Sequence, residues 1–381
     1  MQKIRLAVIG AGRVSEWHAD QINAIDEIVV DSLTDTVRSH AEKLLASKFS
    51  HRRPAPTVFV DHRRMLEKTS PEAVLILTPS NVHFQQCVDC LQAGKHVMVQ
   101  TPMAISSRDA VALYELVTRS GKTFQVASQA PHLAEFQYAR KLIASGQLGA
   151  LQMISGVLAQ NWLKPMAGTW RQDPKTSGGG QLYDHGANVL NGMLWLVDSP
   201  LTEVFSLLDR KALAADVNAA VVVRFANGCL GTIASGGNCA AGHSELYIQG
   251  ERGFLNLSLH GGKLVHVQDG KPVIYPQVPW PTESPERNFI NVLRGLDSPR
   301  CPVRYGVLLA ELMEAIYASA GSGVPIKVNS LFDHVSAAPV VAPKVVAEPA
   351  PAETIPAAEP APKRVRKPAR KVKAAPARKA R

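Results

Sequence analysis

A glycine-rich turn between a strand and a helix is the feature that most constrains the fold. The apolar run Ile4–Ile9 predicts a strand, Gly10-Ala11-Gly12-Arg13-Val14-Ser15 follows at once, and a helical pattern begins at Ser15. This is G-x-G-x-x-G with Ser in the third place, where only a small residue is needed for close packing of helix on strand. The turn predicts a dinucleotide whose pyrophosphate lies at the helix N-terminus, on the backbone of Gly10, Gly12, Arg13 and Val14.

An acidic residue stands where a dinucleotide site needs one. Asp35 lies 20 residues beyond Ser15, at the end of the second predicted strand. A carboxylate there can accept hydrogen bonds from the adenosine ribose hydroxyl groups, and it would repel a 2′-phosphate. The sequence therefore predicts NAD rather than NADP as the cofactor.

Strand and helix patterns alternate through residues 1–128. The strands are apolar nearly throughout, as in a parallel sheet that is covered on both faces. This rhythm predicts an α/β doubly wound Rossmann domain over residues 1–128. The predicted strands are Ile4–Ile9, Ile28–Leu33, Thr57–Val60, Ala73–Thr78, His96–Gln100 and Phe124–Ala127, and the predicted helices are Ser15–Ile25, Val37–Lys48, Val82–Ala93 and Ser106–Arg119.

The pattern changes after residue 128. Residues 129–330 carry seven strand-like runs with turn signals between several of them, a helix near residues 180–197, and further helices at His132–Ser145, Glu286–Leu296 and Tyr305–Ala320. They predict an α+β domain with one large, mostly antiparallel sheet. Residues 331–381 are rich in Ala, Pro and Lys and predict a disordered tail, because such a composition buries too little apolar surface to offset its ordering entropy.

Charge is concentrated in that tail. The chain has 42 Lys and Arg against 32 Asp and Glu, and ten of the basic residues lie between Lys363 and Arg381, where no acidic residue occurs. The first 362 residues are therefore neutral. Residues 363–381 could bind nucleic acid non-specifically through phosphates, or could serve only as a solubilising tail.

Other sequence features exclude some classes of protein. No apolar run is long enough to span a bilayer, and a strand begins where a signal peptide would lie, so a cytoplasmic protein with no membrane partner is expected. Cys87 and Cys90 are three apart in an apolar helical stretch. They predict a packed helix face rather than a metal site, which would need a second pair of ligands.

Four further motifs follow the glycine-rich turn in order: Thr78-Pro79-Ser80-Asn81-Val82-His83, Ala93-Gly94-Lys95-His96-Val97, Thr169-Trp170-Arg171, and Ser177-Gly178-Gly179-Gly180-Gln181-Leu182-Tyr183-Asp184. Together with the turn, they resemble the motifs of the Gfo/Idh/MocA family (glucose–fructose oxidoreductase, inositol dehydrogenase and relatives). The resemblance covers nearly all of residues 3–328 and implies an NAD(P)-dependent oxidoreductase acting on a sugar or polyol, with an open sheet face used for a dimer or tetramer. It implies cofactor contacts from the loop after the fourth strand, from the end of the fifth strand and from the W-R segment: Thr78, Pro79, Ser80, Asn81, His83, Gln100, Trp170 and Arg171.

The departures from this family fall on its catalytic positions. The family's E-K-P is Gln100-Thr101-Pro102 here, and its D-x-G-x-H is Asp184-His185-Gly186-Ala187-Asn188. The resemblance assigns the catalytic positions to Thr101, Asp184 and Asn188, but an amide cannot take a proton from a hydroxyl group near neutral pH. A positioned acid or base contributes roughly 10²–10⁴ in rate.

Three other residues could replace the missing base. Lys164 could reach the site from a loop, and Asp184 could act if burial raised its pKa. His185 is expected to point about 100° away from Asp184 and to pack or support it. The open alternatives are a dehydrogenase, a catalytically impaired NAD- or sugar-binding regulator associated with nucleic acid through its tail, and a hydrolase that uses NAD transiently, for which no motif is present.

Overall fold

The computed structural model describes residues 3–273, 278 and 281–332. Its first sheet has six parallel strands in the order β3-β2-β1-β4-β5-β6, so the strand order reverses between β1 and β4. A ligand crevice is expected at such a switch point, beyond the carboxyl ends of the strands. The strands are β1 Ile4–Ile9, β2 Ile28–Thr34, β3 Thr57–Phe59, β4 Ala73–Ile76, β5 His96–Gln100 and β6 Phe124–Ala127.

Helices connect these parallel strands, and the most deeply buried strands are apolar on both faces. Cys87 and Cys90 are both buried in the core, as the packed-face prediction requires. The helices are α1 Arg13–Asn23, α2 Arg38–Leu44 with a π-helical continuation over Leu45–Phe49, α3 His62–Lys68, α4 Ser80–Gln92 and α5 Ser107–Ser120.

The second sheet has nine strands in the order β14-β13-β12-β11-β7-β10-β9-β8-β15. Among the described strands of this sheet, only the central pair β7 and β10 runs parallel. The strands are β7 Leu151–Asn161, β8 Leu201–Asp209, β9 Asn218–Phe225, β10 Leu230–Gly236, β11 Asn238–Gly250, β12 Gly253–Ser258, β13 Leu264–Gln268, β14 Lys271–Pro272 and β15 Ile326–Lys327.

Helices cover one face of this sheet. α8 packs on β7, and α10 packs on β8 and on α8. A π-helical turn, Leu182–Gly186, leads directly into α8. The helices here are α6 Ala134–Ala144, α7 Pro174–Ser177, α8 Ala187–Val197, α9 Pro285–Leu293 and α10 Val303–Ser322, with single 3₁₀ turns at Ala130–His132 and Trp170–Gln172.

The opposite face of the nine-stranded sheet carries exposed side chains in the part of the chain that the structure describes. The strand register places one row of side chains across seven strands: Phe205, Val222, Thr232, Ser155, Tyr247, Asn256 and Val265. Val222, Tyr247 and Val265 are 48%, 38% and 40% exposed. This row, the open-face row, exposes apolar side chains without a charged residue.

The predicted fold class is confirmed: a parallel Rossmann sheet and a second, mostly antiparallel sheet. The described chain runs to Phe332, which is buried against Tyr114, so packing extends two residues into the predicted tail. The rest of that prediction, including residues 363–381, lies outside the described residues. No described helix is long and apolar enough to cross a membrane. A cytoplasmic location stays a prediction.

Candidate cofactor and substrate site

The glycine-rich turn after β1 lies directly against the end of β4. Gly10 has φ of +100°, and a Cβ on it would lie 2.7 Å from the carbonyl carbon of Leu77. Both the backbone conformation and the space therefore require glycine. The close approach holds the turn at the switch point of the sheet.

The N-terminus of α1 has amides available for an anion. Gly12 is the N-cap residue, and no side chain caps the helix among the described residues. The amides of Arg13 and Val14 are therefore free to bind a pyrophosphate, which the helix dipole also favours. A cavity of about 370 Å³ opens here, lined by Ala11, Gly12, Arg13, Glu16, His40, Lys43 and Leu44. The turn fits a dinucleotide.

Asp35 joins the cofactor turn to the end of β2. Its Oδ2 accepts a hydrogen bond from the Ala11 amide at 2.8 Å, and its Oδ1 accepts one from the Val37 amide at 2.9 Å. Each carboxylate oxygen has a further lone pair, so ribose hydroxyl groups can still bind. Asp35 therefore fits the predicted ribose role and also fixes the glycine-rich turn.

His83 connects the two loops that follow β4 and β5. Its Nε2 lies 2.7 Å from the Thr78 carbonyl oxygen and its Nδ1 lies 2.9 Å from the Pro102 carbonyl oxygen. The ring is fully buried, and burial lowers its pKa. This histidine positions the cofactor loop from inside. Of its neighbours, Ser80 is buried at the start of α4 and Asn81 is exposed.

Gln100 lies at the end of β5 in a buried line of polar side chains. Its Oε1 is 3.1 Å from Nε2 of His18 on α1, and Nδ1 of His18 contacts the Glu286 carboxylate of α9. Both His18 and Glu286 are buried. The His18 ring thus links the Gln100 amide on β5 to the Glu286 carboxylate on α9.

Thr101 is buried and is held by a side chain of α8. Its Oγ1 accepts a hydrogen bond from Nδ2 of Asn191 at 2.7 Å. Asn191 lies three residues after Asn188, so the two amides are neighbours on α8. The structure thus brings Thr101 to the turn of α8 that follows Asn188. Asn191 was missed by sequence reasoning, although its spacing from Asn188 is a usable signal.

The segment Gly178-Gly179-Gly180 leads into the π-helical turn and is fixed by a buried acid. Asp216 accepts hydrogen bonds from the amides of Gly180 at 2.7 Å and Leu182 at 2.9 Å, and it contacts the hydroxyl group of Tyr317. A Cβ on Gly180 would lie 2.0 Å from the Asp216 carbonyl oxygen. This close packing positions the turn that carries Asp184.

Asp184 binds two side chains of the segment between β7 and α7. Its carboxylate accepts a hydrogen bond from Nε1 of Trp162 at 2.8 Å and lies 3.2 Å from Nε of Arg171. The Arg171 guanidinium also stacks over the Trp170 ring, 4.5 Å from its centroid. The W-R segment is therefore joined to Asp184, and α7 beyond it packs on α4, next to the cofactor loop.

The prediction that His185 turns away from Asp184 is wrong. Its Nε2 lies 3.6 Å from the Asp184 carboxylate, and its Nδ1 lies 2.6 Å from Oε1 of Gln160 at the end of β7. A π-helical turn has more residues per turn than an α-helix, so successive side chains diverge less. His185 is also exposed rather than packed. Lys164 is exposed on its loop, as expected.

Another buried histidine, His132, follows β6. Both ring nitrogens of His132 lack a hydrogen bond within the described chain. Burial, and secondarily the charge of Arg300, lowers its pKa to about 3. His132 is therefore a neutral, unsatisfied group in the protein interior. The described residues contain no cluster of three or more His, Cys, Asp or Glu side chains suited to a metal ion.

Two family models match this chain in succession. An oxidoreductase family with an NAD-binding Rossmann fold matches residues 4–128, and the GFO/IDH/MocA C-terminal domain matches residues 136–256. The two matches together cover well over half of the chain. The N-terminal part is thus an NAD-binding Rossmann unit, in agreement with the fit of the turn and of Asp35.

Individual relatives are distant. A 4-carboxy-2-hydroxymuconate-6-semialdehyde dehydrogenase of Sphingobium is 29% identical over 39% of this chain and 46% of its own length. A myo-inositol 2-dehydrogenase of Thermotoga maritima is 23% identical over 64% of this chain and 71% of its own. The chain spans about half the length of the first curated relatives that it matches.

Solved structures share the fold. The WlbA dehydrogenase of Bordetella pertussis, determined with NADH and UDP-GlcNAcA, superimposes with a TM-score of 0.74 at 23% identity, over 86% of this chain and 98% of its own. The motifs, the two family matches and the paired sheets agree with one another. This chain belongs to the Gfo/Idh/MocA family of oxidoreductases.

Proposed function

We propose that this protein is an NAD-dependent dehydrogenase that transfers hydride between the nicotinamide and a hydroxyl group of a sugar or polyol. The main support is the position of the Leu182–Gly186 turn. Tyr183 in this turn donates a hydrogen bond to the carbonyl oxygen of Ile105, in the loop after β5. This contact joins the turn that carries Asp184 to a loop at the carboxyl edge of the Rossmann sheet.

Each group of residues has a proposed role that follows from its chemistry. Bound NAD supplies the hydride acceptor. The Asn188 amide and the Thr101 hydroxyl group can hold substrate hydroxyl groups, and Asp184 keeps Arg171 in place. Residues 1–128 would bind the cofactor, residues 129–330 would bind the substrate and form the oligomer, and 331–381 would be a tail.

The substrate class follows from the relatives. Several are named as dehydrogenases of inositols, glucosides or levoglucosan. A polyhydroxylated ring also suits a site built of amide, hydroxyl, carboxylate and guanidinium groups, since each ring hydroxyl both donates and accepts. We therefore propose a cyclic polyol or sugar.

A fluorescence titration with NADH, combined with a polyol screen that follows reduced cofactor by absorbance, tests this function. We expect NADH binding and measurable reduction of NAD by at least one cyclic polyol. Tight NADH binding without turnover would instead favour the alternative, a catalytically impaired NAD- or sugar-binding regulator. The replacement of the family's Lys and His by Thr101 and Asn188 is the observation that favours this alternative.

Restoring the family residues separates the two possibilities further. The variant Thr101→Lys/Asn188→His should gain turnover if the rest of the site is intact. If it stays inactive while still binding NADH, the dehydrogenase function is contradicted. Because Thr101 is buried against Asn191, Asn188→His alone is the matched control for misfolding caused by the lysine.

We propose a homo-oligomer, a dimer or tetramer, formed through the open-face row. An exposed sheet face with apolar side chains and no charge in its central row commonly serves as an interface.

The tail, residues 331–381, is proposed to bind nucleic acid non-specifically. DNA retention that falls with salt and disappears on deletion of residues 337–381 would support this; unchanged retention would contradict it.

A further inference from the structure

We propose that His185 is the proton acceptor of the dehydrogenase, in place of the histidine that the family carries at the position of Asn188. This inference rests on the proposed function. Four features of the Leu182–Gly186 turn support it: the contact on each of the two ring nitrogens of His185, the exposure of that side chain, and its spacing from Asn188.

The first feature is the contact on Nδ1. Oε1 of Gln160 lies 2.6 Å away and can only accept a hydrogen bond. Nδ1 must therefore carry the proton in the neutral ring, which leaves the lone pair on Nε2. A general base requires such a fixed tautomer, because only the unprotonated nitrogen can take a proton.

The second feature is the carboxylate beside Nε2. Asp184 lies 3.6 Å away and would stabilise the imidazolium that forms when Nε2 takes a proton. The same carboxylate lies 3.2 Å from Nε of Arg171, so the imidazole and the guanidinium share one acid. Among the described residues, Asp184 is the charged group that His185 contacts, and Gln160 on β7 is neutral.

The third and fourth features give access to substrate. The His185 side chain is 47% exposed, so a ligand can reach it. His185 and Asn188 are three residues apart where the π-helical turn enters α8, and residues so spaced are neighbours on a helix surface. An imidazole therefore lies beside the amide that stands where the family has its histidine.

The proposed proton step balances with the redox step. The substrate hydroxyl group loses its O–H proton to Nε2 of His185, and the carbon that bears it loses hydrogen with its electron pair to NAD⁺. A carbonyl group forms and the imidazolium pairs with Asp184. In the reverse direction, His185 returns the proton to the new hydroxyl group.

Full-length wild type, His185→Gln and His243→Gln are compared with NAD and three probes: myo-inositol, levoglucosan and methyl D-glucoside. His243 is the matched control, since it is 50% exposed and lies 3.8 Å from a carboxylate, Glu245, on the nine-stranded sheet. We expect His185→Gln to lower kcat by roughly 10²–10⁴ with KM and the Kd for NADH nearly unchanged. The rise of kcat/KM through the titration of a histidine should also vanish.

Two further measurements test the assignment of His185 as the base. Adding Asn188→His to the His185→Gln variant should restore turnover, since an imidazole returns at the neighbouring position. Nitrogen NMR of the protein with labelled histidine should show neutral His185 protonated on Nδ1. The Nε2-protonated tautomer, which a rotated Gln160 amide would favour, would overturn the assignment.

The outcomes separate this inference from the proposed function. Turnover by wild type with an unchanged kcat and pH profile in His185→Gln refutes the base assignment alone. NADH binding by wild type without oxidation of any probe at any pH refutes the dehydrogenase function, and the base assignment with it.

Discussion

Asp35 combines a ligand role with a structural one, because the amides of both Ala11 and Val37 donate to its carboxylate. We expect Asp35→Ala to weaken NAD binding by about 10- to 100-fold, since hydrogen bonds to a charged group contribute about 1.5–3 kcal/mol. The preference for NAD over NADP should shrink as well, because the repulsion of a 2′-phosphate is lost. Calorimetric titration with both cofactors measures both effects.

Glu42→Ala is the control for Asp35→Ala. Glu42 is an exposed acid on α2, paired with Arg38, and its loss changes the charge near the adenosine side by the same amount. It should leave NAD affinity within about twofold. Equal effects of the two substitutions would mean that Asp35 acts only through its charge at long range.

His132 makes the protein's stability depend on pH. Its pKa of about 3 in the folded chain lies below the ordinary value of 6.5, so between these values the unfolded chain binds one more proton. The free energy of unfolding should therefore fall as pH falls below 6.5, by up to about 1.4 kcal/mol per pH unit from this group. His83, whose pKa burial also lowers, acts in the same direction.

Denaturant unfolding of His132→Leu tests this account. Removing two desolvated ring nitrogens should raise the free energy of unfolding at pH 8 by about 1–3 kcal/mol and make its fall below pH 6.5 shallower. His83→Leu is the contrasting control, because His83 contacts two carbonyl oxygens and its loss should destabilise the protein. A destabilised His132→Leu would indicate that His132 has a partner.

Residue roles could be predicted where they depend on local spacing. Asp35 follows its glycine-rich turn at a fixed distance along the chain, and Cys87 and Cys90 share one helix face by their spacing. Pairs brought together by the fold gave no such signal. Glu286 meets His18 although 268 residues separate them, and Asp216 meets Gly180 across 36.

At the scale of elements, the position of the Leu182–Gly186 turn depends on the close packing of Gly180 against the backbone of Asp216. Gly180→Ala should destabilise the protein by about 1–3 kcal/mol and displace the Leu182–Gly186 turn, since its Cβ would overlap the Asp216 backbone. Gly321→Ala in α10 has open space at its Cβ and should instead stabilise by about 0.5–1 kcal/mol. Thermal unfolding and NADH-coupled activity measure both, and equal stability changes would contradict the packing argument.

Strands of the first sheet were predictable because their apolar runs are bounded by glycine and polar turns. β1, β5 and β6 begin and end where the sequence predicts. The length of β11 was underestimated. Its first half, Asn238–His243, is mostly exposed and has no apolar alternation, and it pairs with β7 at Asn238 and His243 with a register shift between them. The helix α3 was not predicted, because it has only seven residues, five of them charged or histidine, and gives too short an apolar pattern.

At the scale of the whole molecule, we propose that the open-face row is the surface through which the chain assembles. Tyr247→Glu should lower the mass of the assembly, because it buries an unpaired charge at the centre of the proposed interface. Light scattering after size exclusion measures the mass. Glu251→Gln, a conservative change outside this row, is the control, and a wild type that is already monomeric would contradict the interface.

The central strand β7 runs from the proposed interface to the residues that contact His185 and Asp184. Ser155 on β7 belongs to the open-face row, and the same strand continues to Gln160, with Trp162 directly after its end. These two residues hold His185 and Asp184. A neighbour seated on the sheet would brace the strand that aligns the acid and the imidazole. Specific activity should therefore decline when the protein is diluted below the dissociation constant of the assembly, under conditions in which the chain stays folded.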